Sequence, residues 1–120
     1  MFWENHLRGS DSNTFVIADG RDYSFQEVFE QADAIFRDIP TRSVVLIECR
    51  RDFATVVSYV GALRKGVIAL LVDSIATSEA KNKLAISYRV DFIFSVDDRS
   101  IDQYRVVGGF QNRTVFMQPG

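Results

Sequence analysis

Two short apolar runs, Val44-Val45-Leu46-Ile47 and Val67-Ile68-Ala69-Leu70-Leu71-Val72, lie one helix's length apart in the chain. Each is unbroken by a polar residue and rich in β-branched side chains. That is how a strand covered on both faces reads, and such strands belong mostly to parallel sheets. Parallel strands cannot be joined by a tight turn; they need a crossover, usually a helix packed on the sheet. The segment between the runs supplies one. Asp52 is a natural N-cap, the helix runs to about Lys65, Gly66 is a natural C-cap, and Arg64 and Lys65 complement the negative end of the helix dipole. The two runs and their spacer therefore commit the chain to a βαβ unit.

The same alternation extends in both directions. Ser24-Phe25-Gln26-Glu27 has the form of a capping box, in which the Ser hydroxyl accepts from the amide three residues on and the Glu carboxylate from the cap amide. Phe25, Val28, Phe29, Ala32, Ile35, Phe36 and Ile39 then form one stripe of a 3.6-residue period, and Pro40 stops the helix. Upstream, Thr14 to Ala18 and Arg21 to Tyr23 flank Asp19-Gly20, a two-residue hairpin signal. Downstream, Ser78 caps a helix over about 79–89, with Ala80, Leu84, Ala85 and Tyr88 on one side and Lys81 and Lys83 outward. Phe92-Ile93-Phe94 centres a third strand over Val90 to Ser95. Ser100 to Tyr104 reads as a helical turn, Gly108-Gly109 as a loop and Arg113 to Met117 as a last strand.

The expected fold class is α/β: a three-layer open sheet, mainly parallel, built from βαβ units, with an N-terminal β-hairpin. One domain covers 14–120, preceded by an N-terminal arm over 1–13 in which Trp3 and Leu7 are spaced as one helical turn. The chain has 120 residues, 47% of them apolar and ten of them Phe, enough for a core without metal or disulfides. Helix 52–65 is unusual for so small a domain. Phe53, Ala54, Val56, Val57, Tyr59, Val60, Ala62 and Leu63 surround most of it, leaving Thr55, Ser58 and Lys65 as a thin polar edge. Such a helix has to be covered on several sides.

Composition narrows the function classes. A net charge of −2 with interspersed signs provides no basic surface for nucleic acid or anionic membrane. The longest apolar run, Val67 to Val72, is far short of the roughly 20 residues that span a bilayer. The start, Met-Phe-Trp-Glu-Asn-His, lacks the form of a signal peptide, and a single cysteine fits a reducing compartment. A cytoplasmic protein is expected. The triplet Asn112-Arg113-Thr114 matches a glycosylation acceptor but is short enough to arise by chance.

Ligands of open parallel sheets bind beyond the carboxyl ends of the strands. Those ends carry Cys49-Arg50-Arg51, Asp73-Ser74 and Ser95 to Asp98. Arg50 and Arg51 precede a helix N-terminus, a combination suited to an anion, but no Gly-rich turn brings amides around a phosphate, so they read as solvated loop residues. Asp97 and Asp98 have the chemistry for Mg²⁺ but read as a solvated or capping pair. Cys49 has no base nearby in sequence and reads as a structural thiol. His6, the only histidine, excludes a multi-histidine metal site within this chain. Tyr23 and Tyr59 read as core residues. No G-x-x-x-x-G-K-[ST] or G-x-G-x-x-G loop is present, and Gly108-Gly109 has no Lys or Ser/Thr after it. No catalytic, cofactor-binding or metal residue is assigned.

The letters themselves carry a resemblance. Tyr23-Ser24-Phe25-Gln26-Glu27-Val28 resembles the "Y-T/S-Y/F-x-E-L" opening of the AMP-forming adenylating enzymes, the superfamily of acyl-CoA synthetases, peptide-synthetase adenylation domains and luciferases. Val44 to Glu48 is similar to its "V-A-I-x-L" strand. Phe53 to Ile68, with Gly61-Ala62-Leu63-Arg64-Lys65-Gly66-Val67, is similar to its apolar helix followed by "G-A-L/I-K/R-x-G-A-V". Leu84 to Ser95 resembles its next helix and strand. The likeness spans about residues 14–96. Ala69 to Ser74 lacks the prolines usual after the second strand, and nothing in the chain matches the Ser/Thr/Gly-rich phosphate loop ending in Pro-Lys.

The resemblance implies a non-catalytic scaffold segment from the N-terminal part of an ATP- and Mg²⁺-dependent ligase. The parent reaction converts a carboxylate to an acyl-adenylate and then passes it to a thiol, CoA or a carrier protein. The partner implied is the remainder of a parent chain, or a second copy through the apolar helix 52–65. Two other readings stay open: a stand-alone protein-interaction domain, and a flavodoxin-like small-ligand domain.

Overall fold

Thr14–Ala18 (β1) and Arg21–Ser24 (β2) pair antiparallel, joined at Gly20, whose φ of 75° is the left-handed conformation a tight hairpin requires. The protein is described here from a computed structural model over residues 14–18, 20–96 and 104–118. The arm 1–13 with His6, the acidic pair Asp97-Asp98 and most of the turn read at Ser100 to Tyr104 lie outside the described residues.

The remaining elements are α1 (Phe25–Ile35), β3 (Val44–Cys49), α2 (Phe53–Lys65), β4 (Ile68–Asp73), α3 (Ser78–Ser87), β5 (Phe92–Ser95), β6 (Arg105–Phe110) and β7 (Arg113–Met117). The capping box forms: the Glu27 amide donates to Ser24 Oγ at 3.1 Å and the Ser24 amide to Glu27 Oε1 at 3.3 Å. Asp52 caps α2 through the Thr55 amide, and Gly66 closes it at φ 75°. Two boundaries differ from expectation. α1 stops at Ile35, because the amides of Arg37 and Ile39 bond three residues back, to Ala34 and Phe36, and tighten the chain before Pro40. The cap of α3 is Thr77, one residue before Ser78, with the Ala80 amide donating to its hydroxyl.

Strands β3 to β7 form one sheet in the order β4-β3-β5-β7-β6. β3 pairs parallel with β4 and β5, as expected of crossovers. The β5–β7 and β6–β7 pairs are antiparallel, so the sheet is mixed: two of its four pairings are parallel. The difference arises at Gly108-Gly109, which lies within β6 and is not a loop. The turn is Gln111-Asn112, with Gln111 at φ 48°, and β6 carries a bulge between Val106 and Gly108. Glycines within an edge strand mark a bulge or a close backbone approach. A Cβ at Gly109 would stand 2.9 Å from the Arg113 carbonyl oxygen.

The layers follow from side-chain alternation. Val45, Ile47, Phe92 and Phe94 face α1 and α2, packing with Phe36, Ile39 and Ala62. Leu46, Ile93 and Phe116 face the other way, onto Ala85 of α3 and Val90 in the connection that follows it. A second cluster, Tyr23, Val28, Ala32, Phe53, Val57 and Val60, fills the space between α1, α2 and β2, with Tyr23 and Phe53 stacked at 3.7 Å between centroids. The helix that had to be covered on several sides is thus covered from within the chain, by the sheet and α1. Gly61 permits the close crossing, since a Cβ there would run into the Phe36 ring. Ser58, read as part of a polar edge, is fully buried and donates to the Ala54 carbonyl at 2.6 Å. Tyr59, read as core, is exposed, as is Leu63. β4, read as a strand buried on both faces, is instead an edge strand with Ile68 and Leu71 more than half exposed.

Candidate functional site

The carboxyl ends of β3 and β4 bring Cys49, Arg50, Arg51, Asp73 and Ser74 together around an open cleft of about 830 Å³, shared with Asp52 and Asn112. Five of the candidate positions therefore meet where a ligand of an open sheet would bind. Their chemistry is already committed. The N-terminus of α2 holds the Asp52 carboxylate, which accepts from the Thr55 amide at 3.1 Å and the Thr55 hydroxyl at 2.9 Å. An anion approaching along Arg50 and Arg51 would meet that carboxylate at the helix end.

Asp52 also receives Arg113 from the start of β7 in a two-pronged pair, Nη2 to Oδ1 at 2.9 Å and Nη1 to Oδ2 at 3.0 Å. The guanidinium side chain is fully buried. It donates further to Thr55 Oγ1 at 3.0 Å and Asn112 Oδ1 at 2.7 Å. Asn112 Nδ2 reaches Asp52 Oδ2 at 3.3 Å, and the Arg50 amide donates to Thr55 Oγ1 at 2.8 Å. Burial pushes the Asp52 carboxyl up, but the hydrogen bonds from Arg113 and Thr55 and the guanidinium charge outweigh it and hold the group below its ordinary range. The cluster ties the last strand to the start of α2. It contains no base poised against a nucleophile.

Cys49 fits the structural reading. Burial raises its pKa, only partly offset by a backbone hydrogen bond and by Arg113, so the thiol stays protonated at neutral pH. Asn112 of the glycosylation-like triplet sits in the β6–β7 turn with its amide committed to Asp52. Tyr23 is buried against Phe53. Among the described residues no group of three or more His, Cys, Asp or Glu is placed to hold a metal, and no helix is long and apolar enough to cross a membrane.

Two buried ion pairs were not anticipated. Besides Asp52–Arg113, Glu48 at the end of β3 is buried and accepts from Lys81 Nζ at 3.1 Å and the Val96 amide at 3.2 Å. Lys81, read as outward, turns inward and also donates to the Ser74 carbonyl at 2.9 Å. The signal was present: Glu48 interrupts an otherwise apolar strand, and a charge there needs a partner. What sequence could not supply was which of the cations would reach it.

No family model and no curated protein matches the sequence. Solved structures do match the fold. The N-terminal subdomain of NpsA from Klebsiella oxytoca aligns at a TM-score of 0.70 and 15% identity over 82% of this chain. The Vibrio cholerae adenylation domain AlmE, solved with glycyl-adenosine-5'-phosphate, aligns at 0.68 and 17% over 74%. The o-succinylbenzoate CoA synthetase MenE of Bacillus subtilis, solved with its acyl-adenylate intermediate, aligns at 0.68 and 11% over 80%. The chain spans 27%, 17% and 27% of those three chains respectively. The fold implied by the Tyr23–Val28 and Phe53–Ile68 resemblance is the fold found: that of the N-terminal subdomain of the adenylating enzymes.

Proposed function

We propose that the chain is a non-catalytic scaffold segment of an AMP-forming ligase, one that activates a carboxylic acid as its acyl-adenylate and passes it to a thiol, CoA or a carrier protein. The supporting observation is the fold likeness to the NpsA subdomain over 82% of the chain, reached independently of the sequence words that resemble the same enzymes. In this reading ATP and Mg²⁺ belong to the parent enzyme and are held by a phosphate loop that has no counterpart in these residues. The segment's partner is the remainder of that enzyme, its setting is the cytoplasm, and it engages neither nucleic acid nor membrane. Its contribution is rigidity. Acyl transfer to and from a phosphate depends on aligned reactants and fixed charge, and a packed three-layer unit gives the elements that carry those groups a base that does not shift.

The test has two arms. ATP–pyrophosphate exchange by the 120-residue chain should be absent with any carboxylic acid offered, and ATP-Mg²⁺ should leave its melting temperature unchanged. Exchange activity, or a clear thermal shift, overturns the scaffold reading. Sequencing the transcript beyond codon 120 should reveal, in frame, a Ser/Thr/Gly-rich loop ending in Pro-Lys. An immediate stop codon refutes the ligase segment in favour of a stand-alone interaction domain.

A further inference from the structure

We draw no further inference here: the strongest candidate, the outer edge of β4 with its exposed Ile68 and Leu71 and the exposed Tyr59 and Leu63 of α2, carries none, because nothing in the structure shows what covers it.

Discussion

Changing Asp52 to Asn isolates the largest electrostatic commitment in the fold. Asn is as good an N-cap as Asp, so the Thr55 amide keeps its acceptor and α2 keeps its start. What changes is that Arg113, whose side chain is fully buried, loses its counter-charge. Breaking a buried pair by removing one partner costs about 3–5 kcal/mol, because the remaining charge has no water to return to. The side-chain carbonyl of Asn still accepts one bond, which places the expected loss near the lower end, about 3 kcal/mol. A domain stable by only about 5–15 kcal/mol would feel this strongly. With a urea m-value of about 1–3 kcal/mol/M, the midpoint should fall by roughly 1.5 M. Adding Arg113→Met to Asp52→Asn removes the stranded charge, and with it Nε, a buried donor with no hydrogen-bond partner. The double variant should therefore recover at least half of the loss, giving strong coupling in a double-mutant cycle. If Asp52→Asn costs less than about 1 kcal/mol, or if the single changes simply add, the pair does not hold the strand in the way argued.

Three further outcomes follow from the same physics. Because Asp52 is held below its ordinary value of 3.8 in the fold, its contribution is full above that value and is lost as pH falls through it toward the depressed folded value; acid unfolding of Asp52→Asn should begin from a lower plateau and show a shallower loss below pH 3.8 than wild type. Gly61→Ala should gain about 1 kcal/mol of helix propensity but lose about 1–3 to the Phe36 ring; it should lower the melting temperature, less so in a Phe36→Leu background, and a stabilised Gly61→Ala would contradict the close crossing. Lys81→Met should cost more than Glu48→Gln in urea, because it leaves a 3%-exposed carboxylate unpaired, whereas Lys81 keeps the Ser74 carbonyl and partial access to water; the reverse order would refute that account.

The elements were legible where local chemistry decides them. Ser24 and Glu27 specify the start of α1, and Asp52 and Gly66 bracket α2, because caps and left-handed closures are properties of a few neighbouring residues. Burial around an element was less legible. Val67 to Val72 reads as a strand covered on both faces, yet only its neighbours determine whether it is central or terminal, and the chain places it at an edge. Gly108-Gly109 reads as a loop because glycine is rare in strands, but a bulged edge strand next to the Arg113 carbonyl accommodates it. Helical spacing points Lys81 outward and puts Ser58 on the polar edge of its helix. One is drawn in by the buried Glu48, and the other satisfies its hydroxyl on its own helix. At the candidate site, Cys49, Arg50, Arg51, Asp73 and Ser74 do meet, as strand ends in this topology must. The residue that ties down the adjacent start of α2, Arg113, comes from a strand 61 positions beyond Asp52, and no local pattern announces a contact at that range.

The place of β7 in the sheet has a kinetic consequence. It is the last strand in the described chain, yet it lies inside the sheet, between β5 and β6. The β3–α2–β4 unit closes over short loops and can form early, whereas the Asp52–Arg113 bond has to wait for the longest loop closure in the network. A contact made after the folding barrier slows unfolding while leaving the folding rate nearly unchanged. Arg113 should thus act as a latch: its loss would shorten the lifetime of the native state, and the speed at which that state is reached would barely alter.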